Sequence, residues 1–309
     1  MDSLKNFMTT RKFNKKLVTH NGSFHTDDIF AAATLQIYLE GKGESFEIIR
    51  TRDEEIIKSG DFVFDVGGIY DAEKNLFDHH QKGGAGKREN GIEYAAFGLV
   101  WKKFGAELCG LQDTAEIIDK KLVAPVDAND NGIELVENKN AISPYFIQQA
   151  FLAMQPTWRE EDTTDDEVFL KSVEIAKIIL SREIIQAQDG VRAEEIVMSV
   201  YKNTQDKRII VLDKYYPFEY ILQNFPEPLF VICPSRTIKD KWSAKAVRED
   251  PKTFKNRKDF PKSWAGLRDE ELQKVSGVSD AIFCHRALFL AVAKSKEGAI
   301  ALARKALGE

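Results

Sequence analysis

The chain has 309 residues, of which 43% are hydrophobic and 30% are charged; this composition is enough for one large domain or two compact ones and excludes a largely disordered protein. The net charge of −5 excludes a uniformly basic chain that coats nucleic acid, so any polyanion must meet a local patch. No apolar run approaches the roughly 20 residues that span a bilayer, and three widely spaced cysteines fit a reducing compartment, so we expect a soluble, cytoplasmic protein without a membrane partner.

The first half of the chain alternates short strands with helices. Segments rich in β-branched and aromatic residues predict strands at 17–20, 45–51 and 61–67, and an extended piece at 75–80. Apolar residues at helical spacing predict helices that begin at Thr26 as N-cap, and others over 53–59, 93–104 and 112–124. This alternation is typical of an α/β domain with a largely parallel sheet.

An acidic stretch at 160–167 interrupts the chain before a predicted helix over 168–187. The stretch is either an exposed hinge before a connector helix or the acidic first turn of that helix, stabilised by the helix dipole. Further strands are predicted at 195–200, 208–213, 228–233 and 243–247, and a last helix at 299–307. We therefore predict a catalytic domain over 14–158, a hinge and connector over 159–190, and a smaller α/β domain over 191–309.

Four of the five histidines lie between residues 20 and 80, where predicted strands end. The potential metal-binding and catalytic residues at these strand ends are His20, His25, Asp27, Asp65, Asp78, His79 and His80. Because the carboxyl ends of neighbouring strands in an open α/β sheet converge on one crevice, we expect these side chains to lie together. Nitrogen and carboxylate donors without thiolates fit manganese, magnesium, iron or zinc in a catalytic site.

The pattern also predicts a role for individual residues. Asp65 is the central carboxylate that could bridge two metals roughly 3.5–4 Å apart, as in two-metal phosphoryl chemistry. Asp127, in the segment VDANDNG, would complete the shell of the second metal. Successive side chains of an extended chain point in opposite directions, so we assign His79 as a ligand and give His80 a phosphate-contacting or leaving-group role. Asp78 is the second catalytic candidate.

The segments HNGSFHTDD, FDVGG, FDHH and VDANDNG resemble the four metal-site motifs of the DHH phosphoesterase superfamily, which includes RecJ-type exonucleases and manganese-dependent pyrophosphatases. A closer resemblance covers almost the whole chain. The motifs HNGxFHxD, DVGGxYD and FDHHQ, with FPKSWAGLRDEELQKVSG at 260–277, resemble the Myg exonuclease family (melanocyte proliferating gene one), also catalogued as metal-dependent protein hydrolases.

This resemblance implies a two-domain α/β hydrolase with a DHH-phosphoesterase-like fold, helices on both faces of its sheet and 3′→5′ exonuclease activity on RNA. It implies two divalent metal ions, with Mn²⁺ expected and Mg²⁺ as the alternative. By position, one metal would be held by His20, His25 and Asp65, and the other by Asp27, Asp65, His79 and Asp127. Two features depart from the pattern: His25 stands where most of the superfamily has aspartate, and residues 282–293 lack the glycines of the family segment.

The second half of the chain contains a basic, aromatic region. Residues 202–268 carry 15 Lys and Arg against 8 Asp and Glu, together with ten aromatic residues. Cations that follow phosphates and rings that stack on bases suit single-stranded nucleic acid, although a solvated basic face over core aromatics has the same composition. Trp264, Arg268 and His285 are the candidate substrate-binding residues. The glycine-rich loop 82–91 either cradles a phosphate or is a flexible surface loop.

The predicted function is hydrolysis of phosphodiesters, as a 3′→5′ exonuclease on single-stranded RNA or short oligonucleotides. One alternative is a phosphatase or pyrophosphatase that acts on small phosphate esters and anions. Another is a metal-binding scaffold without catalysis. The sequence makes no prediction about the oligomeric state.

Overall fold

The computed structural model describes residues 14–138, 140–250 and 252–309. The chain divides into two compact units, the first ending at Gln188 and the second beginning at Asp189. Within the described residues, the strands in chain order are β1 (Lys15–Thr19), β2 (Phe46–Arg50), β3 (Phe62–Phe64), β4 (Tyr70–Asp71), β5 (Leu76–Phe77), β6 (Ile209–Val211), β7 (Phe230–Pro234), β8 (Trp242–Ala246), β9 (Ala281–Cys284) and β10 (Leu290–Ala293).

The same residues form helices in both units. In chain order these helices are α1 (Thr26–Gly41), α2 (Glu54–Lys58), α3 (Ala96–Cys109), α4 (Gln112–Ile118), α5 (Ala124–Asp130), α6 (Ile147–Leu152), α7 (Asp165–Asn203), α8 (Glu219–Leu222), α9 (Asp269–Ser276) and α10 (Lys296–Leu307). None of the helices formed by the described residues is long and apolar enough to cross a membrane.

The first unit contains a five-stranded sheet with the strand order β2-β1-β3-β5-β4. β1 is parallel to β2 and β3, β3 is parallel to β5, and β4 is antiparallel to β5. The predicted largely parallel sheet is therefore confirmed. Because β1, β3 and β5 run in the same direction, the residues that follow Thr19, Phe64 and Phe77 lie at one edge of the sheet.

Helices cover both faces of this sheet, but unequally. Leu17 belongs to the large core that α1 and α3 build on one face, whereas the next residue, Val18, packs with Val63 and Val66 on the other. Such alternation follows from the two-residue period of a strand. The short helix α2 contributes Ile57 to the smaller cluster. The predicted α/β architecture with helices on both faces is confirmed.

Two helix predictions in this unit need correction. The N-cap of α1 is His25 rather than Thr26, because His25 has an extended backbone and its N–H donates to Asp28 Oδ1 at 3.1 Å. The helix predicted over 112–124 is divided: α4 ends at Ile118, a π-helical turn follows, and α5 then continues to Asp130. A π turn widens the helix by one residue per turn and changes the face on which later residues lie.

The second unit has its own five-stranded sheet, with the order β6-β7-β8-β10-β9. β6 and β7 are parallel, and the other neighbours are antiparallel. β9 and β10 come from residues 281–293, for which the sequence analysis predicts no strands. Helix α10 begins at Lys296, where the Ser295 hydroxyl caps it by accepting the N–H of Gly298 at 3.0 Å. The smaller α/β unit is present as predicted.

Helix α7 begins and ends outside the predicted limits. The predicted strand at 195–200 is wrong, because these residues belong to α7. Ala193, Val197 and Tyr201 are buried at a spacing of four residues, so burial at the helical period outweighs the β-branched composition. In the acidic stretch 160–167, the residues before Asp165 precede the helix, and Asp165, Asp166 and Glu167 form its first turn. The division between the two units falls within α7, after Gln188.

Candidate metal centre

Three strand ends bring one carboxylate between two imidazoles. His20 follows β1, Asp65 follows β3, and His79 lies two residues beyond β5. Nε2 of His20 is 3.1 Å from Asp65 Oδ2, and Nε2 of His79 is 3.2 Å from Asp65 Oδ1. All three side chains are buried. Each oxygen of Asp65 therefore contacts a different histidine, which is the arrangement of a carboxylate that could bridge two cations.

The backbone at Asp65 adopts the left-handed conformation, with φ of 54°. This conformation costs a non-glycine residue roughly 1–2 kcal/mol, so the surrounding structure must support it. The N–H of Asp65 donates to the carbonyl of Phe77 at 3.3 Å and joins the ends of β3 and β5. Strained residues of this kind cluster at functional sites, and here the strain occurs at the carboxylate in the centre of the cluster.

The first turn of α1 adds two buried carboxylates. Asp28 Oδ2 lies 3.4 Å from His20 Nε2, and Asp27 Oδ2 lies 3.8 Å from His79 Nε2. Both aspartates are fully buried, where the N-terminal end of the helix dipole favours negative charge. Asp27 is a predicted site residue, whereas the adjacent Asp28 is not among the residues predicted from the sequence. Asp28 also accepts the N–H of His25 through its other oxygen.

The end of α5 contributes Asp130, which the sequence analysis does not predict. Asp130 Oδ2 lies 3.3 Å from His79 Nε2, and Asp130 Oδ1 lies 4.0 Å from His25 Nδ1. Asp127, the residue proposed from the sequence, belongs to none of the groups of described residues that could hold a metal. Both aspartates lie in VDANDNG, three residues apart, so they share a helix face. The sequence predicts a carboxylate from this motif, and the structure places Asp130 rather than Asp127 in the cluster.

Asp127 instead fastens the glycine-rich loop 82–91 to the helices. Its Oδ2 accepts Arg88 Nη1 at 2.8 Å, and its Oδ1 accepts the N–H of Gly98 at 3.0 Å. Arg88 also forms a two-pronged contact with Asp119, at 2.9 and 2.7 Å. Burial raises the pKa of Asp127 to about 7, although Arg88 opposes the shift. Arg88 is thus engaged in ion pairs that hold the loop against the helices.

The charges in the cluster stabilise one another. Burial opposes ionisation of Asp65, but the imidazoles of His20 and His79 outweigh it and hold the pKa of Asp65 at about 2. Burial lowers the pKa of both histidines, but their contacts with Asp65 raise it by more, so the net shift is upward. Burial, together with the charge of Asp65, raises the pKa of Asp27. The cluster therefore gathers positive charge, either as protons or as metal ions.

The donor set fits divalent metal ions. Three overlapping groups have ligand atoms within 4.8 Å of one another, and they consist of His20, His25 and Asp65, of Asp65, His79 and His80, and of His25, Asp27 and Asp130. Asp27 Oδ1 and Asp28 Oδ2 are buried without a hydrogen-bond partner among the described residues. Because buried polar atoms are normally paired, these oxygens suit a cation, and imidazole and carboxylate donors are those of catalytic metals.

His79 and His80 lie in different environments. The side chain of His79 is 8% exposed and that of His80 is 63% exposed. His80 Nδ1 lies 2.8 Å from Asp78 Oδ1, while Asp78 Oδ2 accepts the N–H of Gly68. The buried carboxylate of Asp78 therefore holds the imidazole by Nδ1 and leaves Nε2 for other contacts. Asp78 acts on the site through His80, so we describe it as a positioning residue.

The substrate-binding candidates belong to the second unit. Trp264 is only 3% exposed and stacks on Phe260 in the core, with 5.9 Å between ring centroids. A ring buried in this way has no face on which a base could stack. Arg268 is exposed and lies over the ring of Phe283 at 4.4 Å, and His285 is half-buried. Arg268 and His285 stay predictions as substrate-binding residues.

A sequence model of one protein family matches residues 16–307, almost the whole chain; it is the MYG1_exonuc model, described as an uncharacterised protein family (UPF0160). The chain belongs to the MYG1 exonuclease family. The human MYG1 exonuclease is 30% identical over 332 residues, which cover 95% of this chain and 86% of the human protein. The MYG1 protein of Saccharomyces cerevisiae is 29% identical over 343 residues, with 99% and 100% of the two chains covered.

The MYG1 protein of Schizosaccharomyces pombe is similar to the same extent, with 28% identity over 321 residues that cover 94% of this chain and 97% of the yeast protein. Exonucleases are hydrolases, so membership of the MYG1 family confirms the prediction of a hydrolytic enzyme. It also confirms the family resemblance seen in the sequence motifs.

Two solved structures show a weaker likeness. RecJ from Thermus thermophilus in complex with Mn²⁺ has a TM-score of 0.26 and 15% identity, and the match covers 96% of this chain and 52% of that one. A second structure, exonuclease RecJ bound to manganese, has a TM-score of 0.26 and 13% identity, with 94% and 89% covered.

Proposed function

We propose that the chain is a divalent-metal-dependent phosphodiester hydrolase that removes nucleotides from single-stranded RNA or short oligonucleotides in the 3′→5′ direction. The observation that carries this proposal is the convergence of His20, Asp65, His79 and Asp130 in one cluster. Beside it lie buried carboxylate oxygens that have no hydrogen-bond partner among the described residues. Relatives named as exonucleases, such as the human protein, support nucleic acid as the substrate.

Two divalent ions would occupy the centre, with Mn²⁺ proposed and Mg²⁺ as the alternative. One ion would be held by His20, His25 and Asp65, and the other by Asp65, Asp27, His79 and Asp130. Bound metal ions supply charge that polarises a phosphoryl oxygen and lowers the pKa of water. Asp65 belongs to both sets because its two oxygens contact different histidines.

His80 is the residue that we propose to move a proton. Its Nδ1 lies 2.8 Å from Asp78 Oδ1, and this contact fixes the orientation of the ring. Nε2 is then available to donate a proton to the 3′-oxygen of the shortened strand, which is the leaving group when the bond between that oxygen and the phosphorus of the terminal nucleotide breaks. General acids of this kind typically contribute about 10²–10⁴-fold to the rate, so His80 would matter for turnover but little for metal content.

The second unit carries cations beside an aromatic ring, which supports single-stranded nucleic acid as the substrate. Arg236 and Lys245 lie over the ring of Tyr215, at 4.7 and 4.4 Å from its centroid. Cations placed beside an aromatic ring suit the phosphates and bases of a single strand.

We also propose the cytoplasm as the location, since Cys109, Cys233 and Cys284 are free and buried, as is usual in a reducing compartment.

The test is hydrolysis of a 5′-labelled single-stranded RNA with Mn²⁺, beside chelator-treated protein and the Asp65→Ala variant. A metal-dependent ladder that shortens from the 3′ end, and is absent in the variant, is the expected result. Release of phosphate from pyrophosphate or mononucleotides without a ladder would favour the small-substrate phosphatase. Binding of Mn²⁺ without turnover of any phosphate ester would favour a scaffold without catalysis.

A further inference from the structure

A cavity of about 350 Å³ opens beside the metal centre within the first unit. His25, Asp27 and Asp130 line it, and the same three residues form one of the groups that could hold a metal ion. A cation bound by these residues would therefore lie at the wall of the cavity. The volume falls in the range of roughly 300–1,000 Å³ that is usual for pockets that bind small molecules.

The rest of the lining is neutral. Phe24, Phe151 and Leu152 supply apolar surface, and the amide side chains come from α5, from α6 and from the residues just after α6. Among the described residues that line the cavity there is no lysine or arginine. Away from a cation held by His25, Asp27 and Asp130, a second phosphate would find no lysine or arginine here. A flat heterocycle with hydrogen-bonding edges would find both apolar surface and amide groups.

One of these amides has an acceptor that the fold does not use. Gln155 Nε2 donates to the carbonyl of Phe24, and Gln149 Oε1 accepts the N–H of Phe146, so both side chains have structural partners. Gln148 donates through Nε2 to the carbonyl of Pro125 at 3.2 Å. Its Oε1, however, is buried without a hydrogen-bond partner in the described residues. Because an unpaired buried acceptor is costly, this oxygen is suited to an N–H donor from a ligand.

We propose that this cavity binds the base of the nucleotide that the enzyme removes, and that Gln148 accepts a hydrogen bond from the edge of that base. The inference rests on the proposed function, because it places the phosphate of the same nucleotide at the metal centre. The carboxylates and histidines beside the cavity would bind the phosphate of this nucleotide through the metal ions, and the neutral cavity would bind its base. Recognition in this site therefore depends on the terminal nucleotide itself.

Direct binding to the Mn²⁺-loaded full chain tests this proposal without requiring turnover. Calorimetry compares the four nucleoside 5′-monophosphates with ribose 5-phosphate, which carries the same phosphate but no base. We expect at least one monophosphate to bind about tenfold or more tightly than ribose 5-phosphate, the factor typical of burying a base against apolar and hydrogen-bonding groups. Equal binding of all five ligands would overturn the proposal.

Two variants change the cavity in different ways. Gln148→Leu keeps the size of the side chain and removes its hydrogen bonds, so it should reduce the advantage of the preferred base about fivefold to tenfold. Leu152→Trp places a large ring at a position that is 63% exposed, where it fills the cavity without disturbing the core, and should reduce the advantage of every base. Binding of ribose 5-phosphate serves as the internal reference for both.

Gln112→Leu is the matched control, because Gln112 is exposed outside this cavity and its amide bonds Glu116. It should behave as the wild type. An unchanged preference in both cavity variants would overturn the subsite while leaving the exonuclease proposal intact. Failure of the wild type to degrade RNA, with base-dependent binding retained, would instead contradict the proposed function and support the cavity as a nucleotide site.

Discussion

Asparagine substitutions at Asp127 and Asp130, which lie three residues apart in α5, separate a structural carboxylate from a metal-binding one. Asp127 is fully buried and bonds Arg88 and the N–H of Gly98. Asp130 contacts His79 and His25 in the metal centre. Asp127→Asn should therefore reduce stability and retain metal, whereas Asp130→Asn should reduce metal affinity and retain stability.

The magnitude follows from the contacts that each substitution removes. Asp127→Asn loses one hydrogen bond between charged partners, which is worth about 1.5–3 kcal/mol, while Arg88 keeps its two contacts with Asp119 and is not left unpaired. For a unit of this size, that loss lowers the melting temperature by roughly 3–10 °C. In the proposed metal site, Asp130→Asn would replace a carboxylate ligand by an amide, so Mn²⁺ affinity should fall by at least about tenfold.

The assay combines thermal unfolding in chelator with a calorimetric titration of Mn²⁺, both at pH 8. At this pH, above its pKa of about 7, Asp127 is ionised in the wild type, so the substitution changes its charge. We expect a lower melting temperature with unchanged Mn²⁺ affinity for Asp127→Asn. For Asp130→Asn we expect an unchanged melting temperature with lower Mn²⁺ affinity. If Asp127→Asn lost Mn²⁺ at unchanged melting temperature while Asp130→Asn bound Mn²⁺ normally, the assignment from the structure would be refuted.

Four further predictions concern the same unit. Asp65→Ala should abolish RNA hydrolysis and weaken the binding of both metal ions, as measured by metal content and by a hydrolysis assay. Full activity would contradict a carboxylate shared by two metal ions. His80→Ala should keep its Mn²⁺ and lose about 10²–10⁴-fold in turnover; loss of metal would show that this residue is a ligand. Gly98→Ala should destabilise by about 3 kcal/mol in chemical unfolding, because its Cβ would overlap Asp127 Oδ2, whereas Gly41→Ala, with nothing within 4 Å, is the neutral control. The contacts with Asp65 raise the pKa of His20 and His79, so in chelator these histidines stabilise the fold fully below pH 6.5, and this contribution is lost as the pH rises through the raised pKa. The melting temperature in chelator should therefore be lower at pH 8.5 than at pH 6. A higher melting temperature at pH 8.5 would contradict the upward shift of the pKa.

The pattern of strands and helices in the first unit could be predicted because it depends on local periodicity. Strand β3 is a run of three buried apolar residues, and Leu17 and Val18 are the buried apolar residues of β1. Helix α1 includes apolar residues at helical spacing, such as Ile29, Ala32 and Ala33. The same reasoning failed at 195–200, where β-branched residues within α7 are typical of a strand. The helix forms there because Val197 and Tyr201 are buried on one face, and burial depends on packing partners far along the chain.

By itself, the sequence determined the family, the largely parallel sheet and the meeting of His20, Asp65 and His79, because these residues follow strands that must end at one edge of that sheet. Tertiary structure alone decided which carboxylate of VDANDNG enters the centre. Asp127 and Asp130 are equivalent in local sequence, and the choice depends on Arg88, which lies 39 residues from Asp127 along the chain. A contact of this range leaves no periodic pattern in the sequence, since it exists only once the loop and the helix have packed together.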